Sequence, residues 1–123
     1  MPVYNEPGTL ERAVARILTA TIPMDLSILA VDDGSTDGTR EWLADTTLPE
    51  NVEVVFHRKN IGKGAAIRTA LEHATGTFSA ILDADLEYAA ADLGHLIEPL
   101  LAGKARVVFG TRAWTSQSSF SFW

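Results

Sequence analysis

The chain has 123 residues, 46% of them apolar and 21% charged, the balance of one folded domain rather than a disordered segment. It contains no cysteine, which excludes a disulfide framework and a thiolate metal site. A net charge of −6 argues against nucleic acid as a partner, which calls for a basic patch, and against a polybasic membrane anchor. An acidic chain with a phosphorylated ligand needs a metal ion or locally placed basic residues. No apolar run approaches the ~20 residues of a membrane span, and no charged and apolar leader of the signal-peptide kind opens the sequence.

Met1 to Gly8 reads as a loop, since Asn5, Pro7 and Gly8 are turn residues. Only Pro2-Val3-Tyr4 is left to represent a strand before it. Leu10, Ala13, Val14, Ile17 and Leu18 recur at helical spacing, with Thr9 as candidate N-cap and no capping box. Leu26 to Val31 is a short apolar run that predicts a buried strand. It ends in Asp32-Asp33-Gly34-Ser35-Thr36-Asp37-Gly38-Thr39, dense turn chemistry in which Asp37 or Ser35 caps a short helix holding Trp42 and Leu43. Trp42 is read as core. Val52 to Phe56 is the next strand, rich in β-branched residues. Its exit, His57 to Gly64, is basic, and a helix follows over 65–74 with Ile67, Ala70, Leu71 and Ala74 on one face.

Phe78 to Leu82 predicts a further strand, delivering Asp83 and Asp85 at its C-terminal end. Leu93, Leu96, Ile97, Leu100 and Leu101 mark a helix in which Pro99 predicts a kink or a broken last turn. Arg106 to Gly110 reads as a last strand, followed by Thr111-Arg112 and an aromatic, serine-rich tail from Trp114 to Trp123. Neither internal repeats nor a linker interrupt the chain. Alternating strands and helices with short connections predict an α/β domain, a mostly parallel sheet with helices on both faces. Four clear parallel strands are expected, with at most a stub near Val3.

Asp83-Ala84-Asp85 carries the chemistry. Two carboxylates one residue apart repel each other, and a hard divalent cation between them relieves the repulsion while bridging to substrate phosphates. Taken alone, the triplet reads equally well as a polar turn, with Asp85 or Asp92 capping the next helix. Glu87, two residues on, could extend the ligand set directly or through water. Asp32-Asp33 is a second acidic strand end. Turn formation explains Gly34 and Asp37 but not two adjacent acids, and a carboxylate here could accept hydrogen bonds from a base or a ribose. Gly62-Lys63-Gly64 fails the phosphate-loop pattern, because His57 stands where glycine is required and Gly64 where Ser or Thr should follow. It remains a basic turn at a helix start that can attract an anion, with Lys63 as the phosphate or nucleotide contact and Arg58, Lys59 and Arg68 solvated. Arg112 reads either as a phosphate contact or as a surface arginine. His57, His73 and His95 are scattered, which speaks against a histidine metal site. The chain contains neither a dinucleotide fingerprint nor a serine-hydrolase elbow.

Pro2-Val3-Tyr4-Asn5-Glu6, Val31 to Thr39, Asn60 to Gly64, Asp83-Ala84-Asp85 and Gly110-Thr111-Arg112, in this order and spacing, resemble family 2 glycosyltransferases. Within that family the chain is most similar to the dolichol-phosphate mannose synthase, or polyprenyl-phosphate glycosyltransferase, branch. The resemblance implies a GT-A fold, Rossmann-like, over a single partial domain spanning 1–123. It implies inverting, metal-dependent transfer of a sugar from GDP-mannose or a UDP-hexose to an acceptor, a polyprenyl phosphate or alternatively a saccharide. It also implies residue roles. Pro2, Tyr4, Glu6, Val31, Asp33, Lys63, Asp83, Ala84 and Asp85 bind the nucleotide. Asp83, Asp85 and Arg112 are catalytic. Asp83, Asp85 and Glu87 hold Mg²⁺ or Mn²⁺.

The expected location is the cytoplasm, with peripheral association at the cytoplasmic face of a membrane in the full-length protein. The chain departs from the family in lacking a full first strand before Pro2 and the acceptor-binding part after Trp123, and in having Ala89-Ala90 where Asp-Pro is common. The expectation is a donor-binding portion that does not turn over alone. A non-catalytic nucleotide-binding fragment is the alternative. A nucleotidyltransferase would share the sheet but would need a glycine-rich basic loop that this N-terminus lacks.

Overall fold

The computed structural model of the protein describes residues 1–110. In chain order it contains β1 (Pro2–Val3), α1 (Leu10–Leu18), β2 (Ile28–Asp32), α2 (Thr39–Asp45), β3 (Val52–Phe56), α3 (Lys63–His73) and α4 (Asp92–Leu101). The three strands form a parallel sheet in the order β1-β2-β3. β2 is central and almost fully buried, as a parallel strand covered on both faces should be. Its residues pair in step with β3, from Ile28 with Val52 to Asp32 with Phe56, while Pro2 and Val3 pair with Val31 and Asp32. All three strands therefore end level, and the segments leaving them start side by side.

One face of the sheet is covered by α1, whose helically spaced Leu10, Ala13, Val14 and Ile17 are all buried against Val3, Ile28 and Ala30. Leu10, Val14 and Ile17 each contribute ~1.5–3 kcal/mol by leaving water. Val31 alternates to the opposite face of β2 and is buried there, on a strand against which α3 packs. Ala66 is the buried residue of α3. The expected apolar face of that helix is only partly covered, and Leu71 is exposed. Trp42 packs against the core, as its sequence context suggests.

Two expected strands are not formed. Residues 78–82 and 106–110 join no ladder, so the sheet of the described residues has two full strands and the stub at β1. A strand persists only where a neighbour offers a run of backbone partners, and β1, at the edge of the sheet, is only two residues long. Ile81, Val107 and Phe109 are consequently exposed instead of sandwiched. Residues 84–86 turn instead of continuing as an extended chain, with Leu86 left-handed at φ +65°. Leu82, Ala84 and Leu86 pack on the core.

Pro99 does not break α4, which runs on to Leu101. It removes a single bond, and the helix closes two residues later through Gly103 N–H to Leu100 O and Lys104 N–H to Pro99 O, with Gly103 left-handed at φ +66°. No helix among the described residues is long and apolar enough to cross a membrane.

Candidate active site

The segments leaving β1 and β2 are tied to each other by short polar side chains. Asn5 N–H donates to Ser35 Oγ at 3.0 Å, and Thr36 N–H returns a bond to Asn5 Oδ1 at 2.9 Å. Asn5 takes the left-handed backbone at φ +56°, which asparagine tolerates better than most residues. Glu6 N–H donates to the buried Thr39 Oγ1 at 2.9 Å, and Thr39 in turn donates to Asp37 through both its amide and its hydroxyl. The N-cap of α2 is Gly38, neither of the two expected residues, and Asp37 reaches the Thr39 amide from the position before it. Thr9 holds the N-cap position of α1 without capping it by side chain, since its hydroxyl donates to the Glu6 carboxylate.

The adjacent acids Asp32 and Asp33 divide the work. Asp32 is fully buried and accepts from Arg40 Nη1 at 2.7 Å and from Ser35 N–H at 3.2 Å. Arg40 also donates to His57 O at 2.8 Å and lies 4.8 Å from the Phe56 ring centre. Asp32 is therefore structural, a buried charge kept with its partner. Asp33 faces the neighbouring segment. Its Oδ1 bonds His57 Nδ1 at 2.7 Å and accepts Ile61 N–H at 3.0 Å, and its Oδ2 accepts Gly62 N–H at 2.7 Å. Burial alone would raise the Asp33 pKa. The His57 bond, the two amide donors and the nearby imidazole outweigh it and hold the carboxyl below its ordinary value. A carboxylate has about four acceptor positions; three are in use here, which leaves one on Oδ2 for a ligand donor.

Gly34 sits where this loop meets the 59–60 backbone. Its φ is +76°, and a Cβ there would lie 2.5 Å from Asn60 N and from the Lys59 carbonyl carbon, so only glycine fits.

These segments and residues 83–85 form a cleft of about 290 Å³ lined by Pro2, Val3, Tyr4, Glu6, Asp33, Asn60, Lys63, Asp83, Ala84 and Asp85. Lys63, at the start of α3, donates to Asp83 Oδ2 at 2.6 Å. Asp85 Oδ1 accepts Glu87 N–H at 3.0 Å, a tight turn that puts Leu86 in the left-handed region at φ +65°.

Eight of the nucleotide-site residues expected from the sequence thus share one cleft. Val31, the ninth, does not line it: it is buried in β2, paired with Pro2. Glu87 is not in the lining, and among the described residues no three His, Cys, Asp or Glu side chains are grouped so as to hold a metal. Asp83 and Asp85 are two hard oxygen donors lining the same cleft, a set that suits Mg²⁺ or Mn²⁺ when substrate phosphates complete the coordination. Arg112 lies outside the described residues.

Three residues were missed. Asn60 lines the cleft, Arg40 neutralises Asp32, and His57 is held between Asp33 and Thr69 Oγ1, at 2.9 Å from Nε2. His57 is the first residue after β3, and its position level with Asp33 was the available signal.

The model of the glycosyl transferase family 2 matches residues 1–123. A curated relative, the undecaprenyl-phosphate 4-deoxy-4-formamido-L-arabinose transferase of Aeromonas hydrophila, is 32% identical over 98% of this chain. The chain spans 37% of that protein's length. Among solved structures, S. aureus TarS superposes with a TM-score of 0.58 at 24% identity, over 79% of this chain and 18% of the TarS chain, a likeness of fold.

Proposed function

The chain belongs to glycosyltransferase family 2, and from that premise we propose that its cleft is the nucleotide-sugar site of an inverting transferase whose acceptor is a polyprenyl phosphate. The observation that carries this reading is the single cleft joining Tyr4, Glu6 and Asp33 to Lys63, Asp83 and Asp85. Its lining offers a hydrogen-bonding carboxylate and an aromatic ring, suited to a nucleoside, together with a lysine and two further carboxylates, suited to a diphosphate with its cation. The acceptor assignment is supported by the named substrate of the Aeromonas relative.

Asp83 and Asp85 would hold Mg²⁺ or Mn²⁺ there. When bound, the cation would supply charge neutralisation for the departing nucleoside diphosphate. The remaining work falls to the chain itself. Asp33, fixed by its three donors, orients the nucleoside through its remaining acceptor position. Lys63 balances phosphate charge at the start of α3. The acceptor oxygen forms its bond to the anomeric carbon on the face opposite the breaking bond, which inverts that centre. A phosphate acceptor is already anionic, so no general base has to remove a proton from it.

Calorimetric titration with UDP and GDP, with and without Mg²⁺ or Mn²⁺, tests this. Metal-dependent binding is expected, weakened ~10-fold or more by Asp85→Ala. Absence of nucleotide binding by the folded chain would overturn it.

A further inference from the structure

The contact between Lys63 and Asp83 joins two groups that the donor-site reading assigns to different partners. Lys63 Nζ lies 2.6 Å from Asp83 Oδ2, while both residues line the same cleft. The lysine side chain is 57% exposed and the aspartate 26%, so the pair faces water and is held weakly. The backbone on either side is not loose. Gly62 N–H is fixed to Asp33 Oδ2 at 2.7 Å, and Lys63 is the first residue of α3. The ammonium therefore sits on a flexible four-carbon stem rooted at a fixed point, beside a helix start that favours anions. The Met1 amino group also senses Asp83, but burial lowers its pKa to about 6, and it donates to Leu29 O at 2.7 Å. Lys63 is the one of the two placed to exchange partners.

We propose that Lys63 couples cation binding to diphosphate binding, serving either Asp83 or a phosphate but not both. A divalent cation at Asp83 has to displace the ammonium, since two positive charges contest one oxygen. A diphosphate gives the displaced ammonium a new anionic partner, so each ligand favours the other, reciprocally. This rests on the donor-site reading above. It goes further in predicting that removal of a positive charge strengthens binding of a cation only when no diphosphate is present.

The test is Mn²⁺ titration, by electron paramagnetic resonance and calorimetry, of the wild type, Lys63→Met and Lys63→Arg, alone and with saturating UDP or GDP. Lys63→Met is expected to bind Mn²⁺ alone up to about five-fold more tightly, the range of an exposed ion pair. The factor by which UDP or GDP tightens Mn²⁺ should shrink at least as much, and Lys63→Arg should restore it. If Lys63→Met leaves Mn²⁺ affinity unchanged or weaker while the diphosphate effect persists, the coupling role is overturned and the donor site stands. If wild-type Mn²⁺ binding is insensitive to both Asp83→Asn and Asp85→Ala, the coupling and the donor site fall together.

Discussion

Replacing Asp33 by asparagine changes one oxygen to an amide and should unsettle the whole cleft. The side chain is 3% exposed and accepts from His57, Ile61 N–H and Gly62 N–H. If the asparagine oxygen keeps the two donors at Oδ1, its NH₂ points at Gly62 N–H, donor against donor. One charge-assisted bond is lost and one backbone donor is stranded, at a cost of about 1–3 kcal/mol. Asp33→Ala strands all the donors and costs more, though less than a simple sum, because the bonds share one loop. With a urea dependence of ~1–3 kcal/mol per molar, the asparagine variant should unfold ~0.5–2 M earlier.

Acid adds a second signature. The folded pKa lies below the ordinary 3.8. Between the two values the unfolded chain binds more protons than the folded one, so stability rises with pH there. The wild-type contribution is complete above about pH 4 and is lost as pH falls through the lowered folded value. Asparagine cannot titrate and should lack that part of the acid slope. Equal urea midpoints at neutral pH together with equal acid slopes would refute the clamp assigned to Asp33.

Two further substitutions probe the same frame by denaturant unfolding. Gly34→Ala forces a left-handed alanine against the 59–60 backbone and should cost more than ~2 kcal/mol, whereas Gly8→Ala, with nothing within 4 Å of its Cβ, should change stability by less than ~0.5 kcal/mol; similar losses at both positions would contradict the close approach. Arg40→Leu leaves Asp32 buried without its cation and should cost about 2–4 kcal/mol, below the figure for a wholly buried pair because the arginine side chain is 36% exposed. A neutral result there would refute the role of Arg40 as the partner that holds Asp32.

Local patterns in the sequence were enough to locate the four helices and the two full strands of the described residues, because each carries its own periodicity or β-branched run. α3 begins two residues earlier than its apolar spacing suggested, at Lys63, since helix starts are set by backbone geometry that side-chain periodicity does not encode. The strands expected at 78–82 and 106–110 failed for a non-local reason. Their composition suits a strand, but a strand also needs a neighbour with backbone to share, and that lies elsewhere in the chain. Asp33, Lys63, Asp83 and Asp85 were marked by their places at strand ends and a helix start, while Tyr4 and Glu6 joined them only through the family resemblance. The role of Arg40 was illegible and that of His57 was signalled only by its place directly after β3, since each depends on the level pairing of β2 with β3, which brings Phe56 and His57 beside Asp32 and Asp33.

The acids of this site differ most in how fully the fold has already committed them. Asp32 is buried and paired with an arginine that is itself held by a backbone carbonyl. Asp33 keeps one acceptor position after serving three donors. Asp83 is held by a water-facing lysine, and Asp85 by a backbone amide two residues on. Commitment falls from the sheet toward the cleft, and the side chains with most capacity left are those an incoming cation would reach. This follows from the sheet geometry. A carboxylate at the end of a central parallel strand is surrounded by neighbouring strand exits and must be satisfied by them, while residues 83–85, outside the ladders, have fewer protein donors to meet. The two-residue β1 bears on the same point. A longer ladder along 78–82 would draw the Asp83 and Asp85 backbone closer to the sheet without adding side-chain donors, so the two carboxylates would stay the least committed of the four.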